Sequence, residues 1–147
     1  MITGLGHVAV RTSDIEKSVK FYTETLGLKE AFRLYGPEGE LSIVYIYIAP
    51  DQFIELFVNG RKEHKTTDDE IGFCHISLQI DSVEKYYEEI LSKGIEPDTG
   101  ILLGRAKCRM FWVHDPDGNP IELMELPPES MQAQATARFA SENGKEK

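Results

Sequence analysis

Shifted by 68 residues, the chain begins again: Gly4-Leu5-Gly6-His7-Val8 is answered by Gly72-Phe73-Cys74-His75-Ile76, and Ser13-x-x-Glu16 by Asp81-x-x-Glu84. A repeat restricts a fold more tightly than composition does, because both copies must bury the same faces with the same elements. In the first copy, Gly6–Arg11 reads as a strand, and Ser13 with Glu16 forms a capping box that predicts Ser13 as the N-cap of a helix. Ile15, Val19, Tyr22 and Leu26 then recur at helical spacing before Gly27 ends the helix. Leu28–Tyr35, Leu41–Ala49 and Phe53–Val58 follow as strands, divided by Gly36-Pro37-Glu38-Gly39 and Pro50-Asp51.

The second copy keeps this order. Its helix carries Val83, Tyr87 and Ile90 and stops at Gly94, and Ile95–Thr99, Cys108–His114 and Asn119–Leu126 are the expected strands. Asp115-Pro116-Asp117-Gly118 has Pro second and Gly fourth, the signature of a type I turn joining the last two strands. The fold class is α+β: a βαβββ module over residues 1–58, a polar linker over 59–71, a second module over 72–126, and a tail over 127–147 that opens with Pro127-Pro128. Met131, Ala135 and Phe139 give the tail a narrow helical stripe, with fraying expected from Ser141 onward.

A chain of 147 residues with 41% hydrophobic content can bury a true core. The net charge of −9, spread along the sequence, argues against broad nucleic-acid binding. No run approaches the roughly 18 apolar residues of a membrane span. Cys74 and Cys108 lie 34 residues apart without a CxxC motif, and the N-terminus lacks a basic, then apolar, leader. These features predict a cytoplasmic, disulfide-free protein.

Aligning the copies sets His7 opposite His75 and, with a shift of 67, Glu55 opposite Glu122. Their strand neighbours are apolar: Val8 and Val10, Ile54 and Leu56, Ile76 and Leu78, Ile121 and Leu123. Side chains alternate across a sheet, so these neighbours face the helices and the four polar residues share the opposite face. A single strand His or Glu is usually solvated or hydrogen-bonded. Four at repeat-equivalent positions form a set of N and O donors suited to a divalent ion. Cys74 should face away from His75, Cys108 has no basic partner, and His64 and His114 read as solvated.

With the doubled βαβββ order, His7 and His75 after Gly-rich leads, Phe53-Ile54-Glu55-Leu56, and Asp115-Pro116-Asp117-Gly118-Asn119-x-Ile121-Glu122-Leu123, residues 4–126 resemble the vicinal oxygen chelate superfamily. The resemblance implies curved sheets forming a cup around a metal, helices outside, with His7, Glu55, His75 and Glu122 as ligands. The His-Glu-His-Glu order is similar to bacterial glyoxalase I. That similarity implies a lyase acting on a hemithioacetal of methylglyoxal through a metal-bound enediolate, with Glu122 as proton carrier and Glu55 as ligand or second base. It also implies Ni²⁺ or Co²⁺, with Zn²⁺, Mn²⁺ and Fe²⁺ left open, a homodimer, and Arg11 and Asn59 binding the γ-glutamyl end of glutathione. The chain departs from the family at Leu103-Gly104-Arg105-Ala106-Lys107, where a Lys-Gly-Gly-like run binds the thiol's other end. Two further functions stay open: a metal-dependent epimerase or isomerase of a CoA ester or hydroxyacid, and a non-catalytic small-molecule or drug binder.

Overall fold

Alternating apolar residues, β-branched runs and two capped helices give two sheets of identical topology. The computed structural model describes residues 1–62 and 71–143. It divides by contacts into one unit of Met1–Ile71 with Asp115–Asn119, and another of Gly72–His114 with Pro120–Lys147. Most of the expected linker, with His64, lies outside the described residues.

In the first unit, β1 (His7–Arg11), β2 (Lys29–Tyr35), β3 (Leu41–Ala49) and β4 (Gln52–Phe57) lie in the order β1-β4-β3-β2. β1 and β4 are parallel, and the other pairs are antiparallel. One face carries Val44, Ile46, Ile54 and Leu56, all fully buried, and Val19, Tyr22 and Leu26 of the helical segment are buried with them. That segment, α1 (Ile15–Lys20), widens into a π-helical turn over Phe21–Thr25, where Leu26 N–H reaches back to Phe21 O at 3.0 Å.

The N-cap of α1 is Asp14, not Ser13: Asp14 Oδ1 accepts from Lys17 N–H at 3.1 Å. Ser13 is drawn elsewhere, its N–H and hydroxyl both donating to Asp117 Oδ1 at 3.1 and 2.5 Å. Asp117 Oδ2 accepts from the buried Thr12 hydroxyl at 2.6 Å. The type I turn that presents Asp117 forms as expected: Gly118 N–H donates to Asp115 O at 3.0 Å, and Gly118 takes φ 82°, open to glycine without a Cβ clash. Asp115, itself buried, accepts from Asp117 N–H, Asn119 N–H, the Asn119 amide and the Tyr22 hydroxyl. Burial, then the Asp115 carboxylate, hold the Tyr22 phenol far above its usual value.

In the second unit, β5 (Ile76–Gln79), β6 (Leu102–Leu103), β7 (Arg109–His114) and β8 (Pro120–Glu125) lie in the order β5-β8-β7-β6, with β5 and β8 parallel. Helix α2 (Val83–Ser92) is capped by Ser82 rather than Asp81, and Val83 N–H also donates to Glu125 Oε2 at 2.9 Å. Val83, Ile90, Phe111, Val113, Ile121 and Leu123 are buried, and Tyr87 meets the Phe111 ring edge-on.

Ile95–Thr99 does not form the expected strand; the short β6 lies further on. Pro97 has no N–H for a ladder, and pairing with β7 is reduced to Asp98 N–H on Trp112 O and Trp112 N–H on the Thr99 hydroxyl. The tail forms helix α3 (Met131–Asn143), so Ser141 is helical, while residues 144–147 lie outside the described residues. Its first turn is held by Met131 N–H on Ala106 O and by the Cys108 thiol on Gln132 Oε1 at 2.7 Å. The helical stripe read from the sequence is open at Met131 and Phe139, 62% and 53% exposed.

Asp117 makes a pH-dependent contribution to the first unit. Burial raises its pKa, but bonds from Ser13, Thr12 and Ser18 together outweigh burial and hold the carboxyl below its usual value of 3.8. The depressed folded value means the stabilisation is complete above about pH 4 and disappears as pH falls through it. Asp117→Ala should lose about 1–3 kcal/mol near neutral pH, and the gap to wild type in urea melts should close below pH 3.8.

Candidate functional site

Each unit contains one His–Glu pair, produced by the same strand register. In the first, Ala9 pairs with Glu55 across the parallel strands, so His7, two residues earlier on β1, stands diagonally beside Glu55 on one face. His7 Nε2 lies 3.4 Å from Glu55 Oε2. In the second, Ser77 pairs with Glu122, and His75, two residues before Ser77, has its Nε2 3.7 Å from Glu122 Oε2. Two donors bound to one ion at about 2.1 Å each stand roughly 3.0–3.5 Å apart, so both pairs approach the spacing of neighbouring ligands.

The two carboxylates differ in what holds them. Glu55 is only 6% exposed, and besides His7 it accepts a hydrogen bond from the Tyr45 hydroxyl on the adjacent β3. That bond, then burial, raise the Tyr45 phenol above its usual value. The Glu122 side chain is nearly as buried, 12% exposed, and its neighbour on β7 is Trp112, whose ring meets His75 edge-on at 4.9 Å. Tyr45 and Trp112 are thus repeat mates, each beside the acid of its own pair. Sequence reasoning missed both, although the same shift of 67 residues that relates Glu55 to Glu122 also relates them.

The face bearing Glu55 is aromatic. Phe32 stacks on Tyr45 at 4.3 Å, and Phe53 packs edge-on against Tyr45 and Tyr47. Arg11 lies further along β1, its guanidinium bonded to Val58 O at 3.0 Å and 5.3 Å from the centre of the Phe57 ring. Asn59 is exposed with φ 65°. The structure therefore brings together His7 with Glu55 and His75 with Glu122. Among the described residues, no group of three or more His, Cys, Asp or Glu side chains could hold a metal ion.

The remaining candidates resolve simply. Cys74 is exposed and Cys108 buried, both as free thiols. His114 is not merely solvated: its Nδ1 pairs with Asp98 Oδ2 at 2.6 Å. No helix among the described residues is long and apolar enough to cross a membrane.

The family model of the glyoxalase/bleomycin resistance protein/dioxygenase superfamily matches residues 4–123. The chain belongs to this superfamily. It is 32% identical over 124 residues to a lactoylglutathione lyase of Salmonella typhimurium, spanning 81% of this chain and 90% of that protein. It is also 32% identical to a probable chloroplastic lactoylglutathione lyase of Arabidopsis thaliana, over 83% of this chain but only 35% of that longer protein. A solved glyoxalase family protein from Enterococcus faecalis has the same fold, with a TM-score of 0.71 at 23% identity, over 83% of this chain and 97% of that one. In this superfamily member, the α+β architecture and the repeated His–Glu register together define the candidate site.

Tyr45 is expected to stabilise the buried Glu55 carboxylate. Tyr45→Phe should cost about 1–3 kcal/mol, the penalty for leaving a buried acceptor short of a donor. A double-mutant cycle with Glu55→Gln, read by urea denaturation, should give a coupling of about 0.5–3 kcal/mol; additive losses would show that the two side chains act independently.

Proposed function

We propose that the chain is a metal-dependent, glyoxalase I-like lyase, a cytoplasmic homodimer that isomerises the hemithioacetal of methylglyoxal and a small thiol. His7, Glu55, His75 and Glu122 are the proposed donors, and Ni²⁺ or Co²⁺ the preferred ion. The observation that carries this reading is the His–Glu pair made twice by one register, at 3.4 and 3.7 Å. The similarity to lactoylglutathione lyases supports the substrate class. Imidazole and carboxylate together suit a borderline divalent ion with room for exchangeable positions.

When bound, the ion supplies Lewis acidity, drawing off the charge that builds on two adjacent substrate oxygens. The chain's own residues carry the proton. Glu122 is the better placed base, because among the described residues its one close polar partner is His75, whereas Glu55 is held by both His7 and Tyr45. A carboxylate with fewer fixed partners can take the carbon-bound proton and return it to the neighbouring carbon. Glu55, buried and anchored, remains a donor. Phe32, Tyr45, Tyr47 and Phe53 give its face an aromatic surface for a substrate to pack against.

Two measurements test the proposal. After chelation and addition of Ni²⁺ or Co²⁺, the protein should convert methylglyoxal in the presence of glutathione or another small thiol; no turnover with any divalent metal would remove the lyase reading. Glu122→Gln should lower kcat by about 10²–10⁴-fold with an unchanged circular dichroism spectrum. Trp112 is the single tryptophan and touches His75, so Ni²⁺ should alter its fluorescence in wild type but not in His75→Ala.

A further inference from the structure

The first unit contains a cavity of about 380 Å³ whose cations are Arg11, Arg61 and Lys62, with Ser13, Asp117 and Asn119 also lining it. Its shape follows from the backbone after β4. Asn59 turns the chain with φ 65°, and Gly60 then packs on the end of β1, its N–H bonded to Thr12 O at 2.8 Å. A Cβ on Gly60 would stand 3.0 Å from the Thr12 carbonyl, a tight approach that a larger residue could make only by pushing the two strand ends slightly apart. The next two residues, Arg61 and Lys62, are thereby delivered beside Arg11.

Three like charges are gathered here in a chain whose net charge is −9. Such a cluster raises the local potential and favours an anion. Among the described residues Arg11 is held by Val58 O and the Phe57 ring rather than by an acid, which leaves further N–H groups of its guanidinium to donate. The one acid among the described lining residues is already engaged, since Asp117 Oδ1 accepts from Ser13 and Oδ2 from Thr12. An amino-acid end of a ligand would bring an ammonium, and among the described residues the cavity offers it no unengaged carboxylate.

We infer that this cavity receives a dianionic oxyanion, a phosphate ester or a paired-carboxylate end, belonging to the substrate that reacts at the Glu55 face. Among the described lining residues, three cations against one engaged carboxylate leave a surplus of two positive charges, which a dianion matches. The guanidiniums supply paired, charge-assisted bonds, and Lys62 supplies a mobile point charge. The inference rests on the proposed function for where the reaction occurs. Arg11 lies four residues along β1 from His7, roughly 13 Å at the rise of a strand, so the substrate is an extended molecule with its reactive carbonyl and its anion at opposite ends. The cavity therefore selects an anionic carrier over the zwitterionic end of a peptide thiol.

Binding to the full chain separates this inference from the lyase reading, because it is measured in chelator and needs no turnover. Inorganic phosphate, succinate and glutamate are titrated by calorimetry at fixed ionic strength into wild type and into Arg61→Gln/Lys62→Gln. Phosphate or succinate should bind at least about tenfold more tightly than glutamate, the tighter of the two naming the source of the dianion. The double variant should lose about tenfold in that affinity. Binding unchanged in the variant, glutamate binding as tightly as the dianions, or no measurable binding of either dianion would overturn the inference and leave the lyase assay untouched.

Discussion

The parallel pairing of the first and last strand of each module is the constraint on which the site depends. In a parallel ladder the side chains of two strands share a face in fixed register, so Ala9 opposite Glu55 commits His7 to stand diagonally beside that acid, and Ser77 opposite Glu122 does the same for His75. A slip by one residue would turn both histidines toward the helices and expose the valines and isoleucines they alternate with. The buried Ile54, Leu56, Ile121 and Leu123 hold that register from the other face. The chemistry on one side of each sheet is thus enforced by hydrophobic burial on the other, a cost that charged groups alone could not offset.

What the sequence made legible is what repeats. The alternation around His7, Glu55, His75 and Glu122 was readable because strand period and module shift agree, and the strand bounds of the first module follow its turn signals closely. The pairing of each histidine with its own glutamate needed the register, which no local pattern contains. Tyr45 and Trp112 escaped for a related reason: an aromatic on a strand is ordinarily core, and only its position across from a carboxylate gives it another role.

Errors arose where a local motif competes with a distant partner. Ser13 has the spacing of an N-cap, but Asp117 is 104 residues away in sequence and wins its hydroxyl, so the neighbouring Asp14 caps the helix. Ile95–Thr99 has the apolar content of a strand, yet Pro97 removes a ladder donor and the segment contacts Trp112 only through Asp98 and Thr99. His114 acquires Asp98 by the same irregular crossing. The cationic cavity was equally invisible, since Arg61 and Lys62 read as linker until Gly60 is seen lying against Thr12.

The turn Asp115–Asn119 belongs, by contacts, with residues 1–71. The duplication in the sequence is therefore not a divisible one. A fragment cut after the first copy would leave the fully buried Tyr22 hydroxyl without Asp115, and Thr12 and Ser13 without Asp117. The first unit of contacts thus draws five residues from the second copy, so that neither a cut after the first copy nor new termini inside that turn would leave its hydrogen bonds intact.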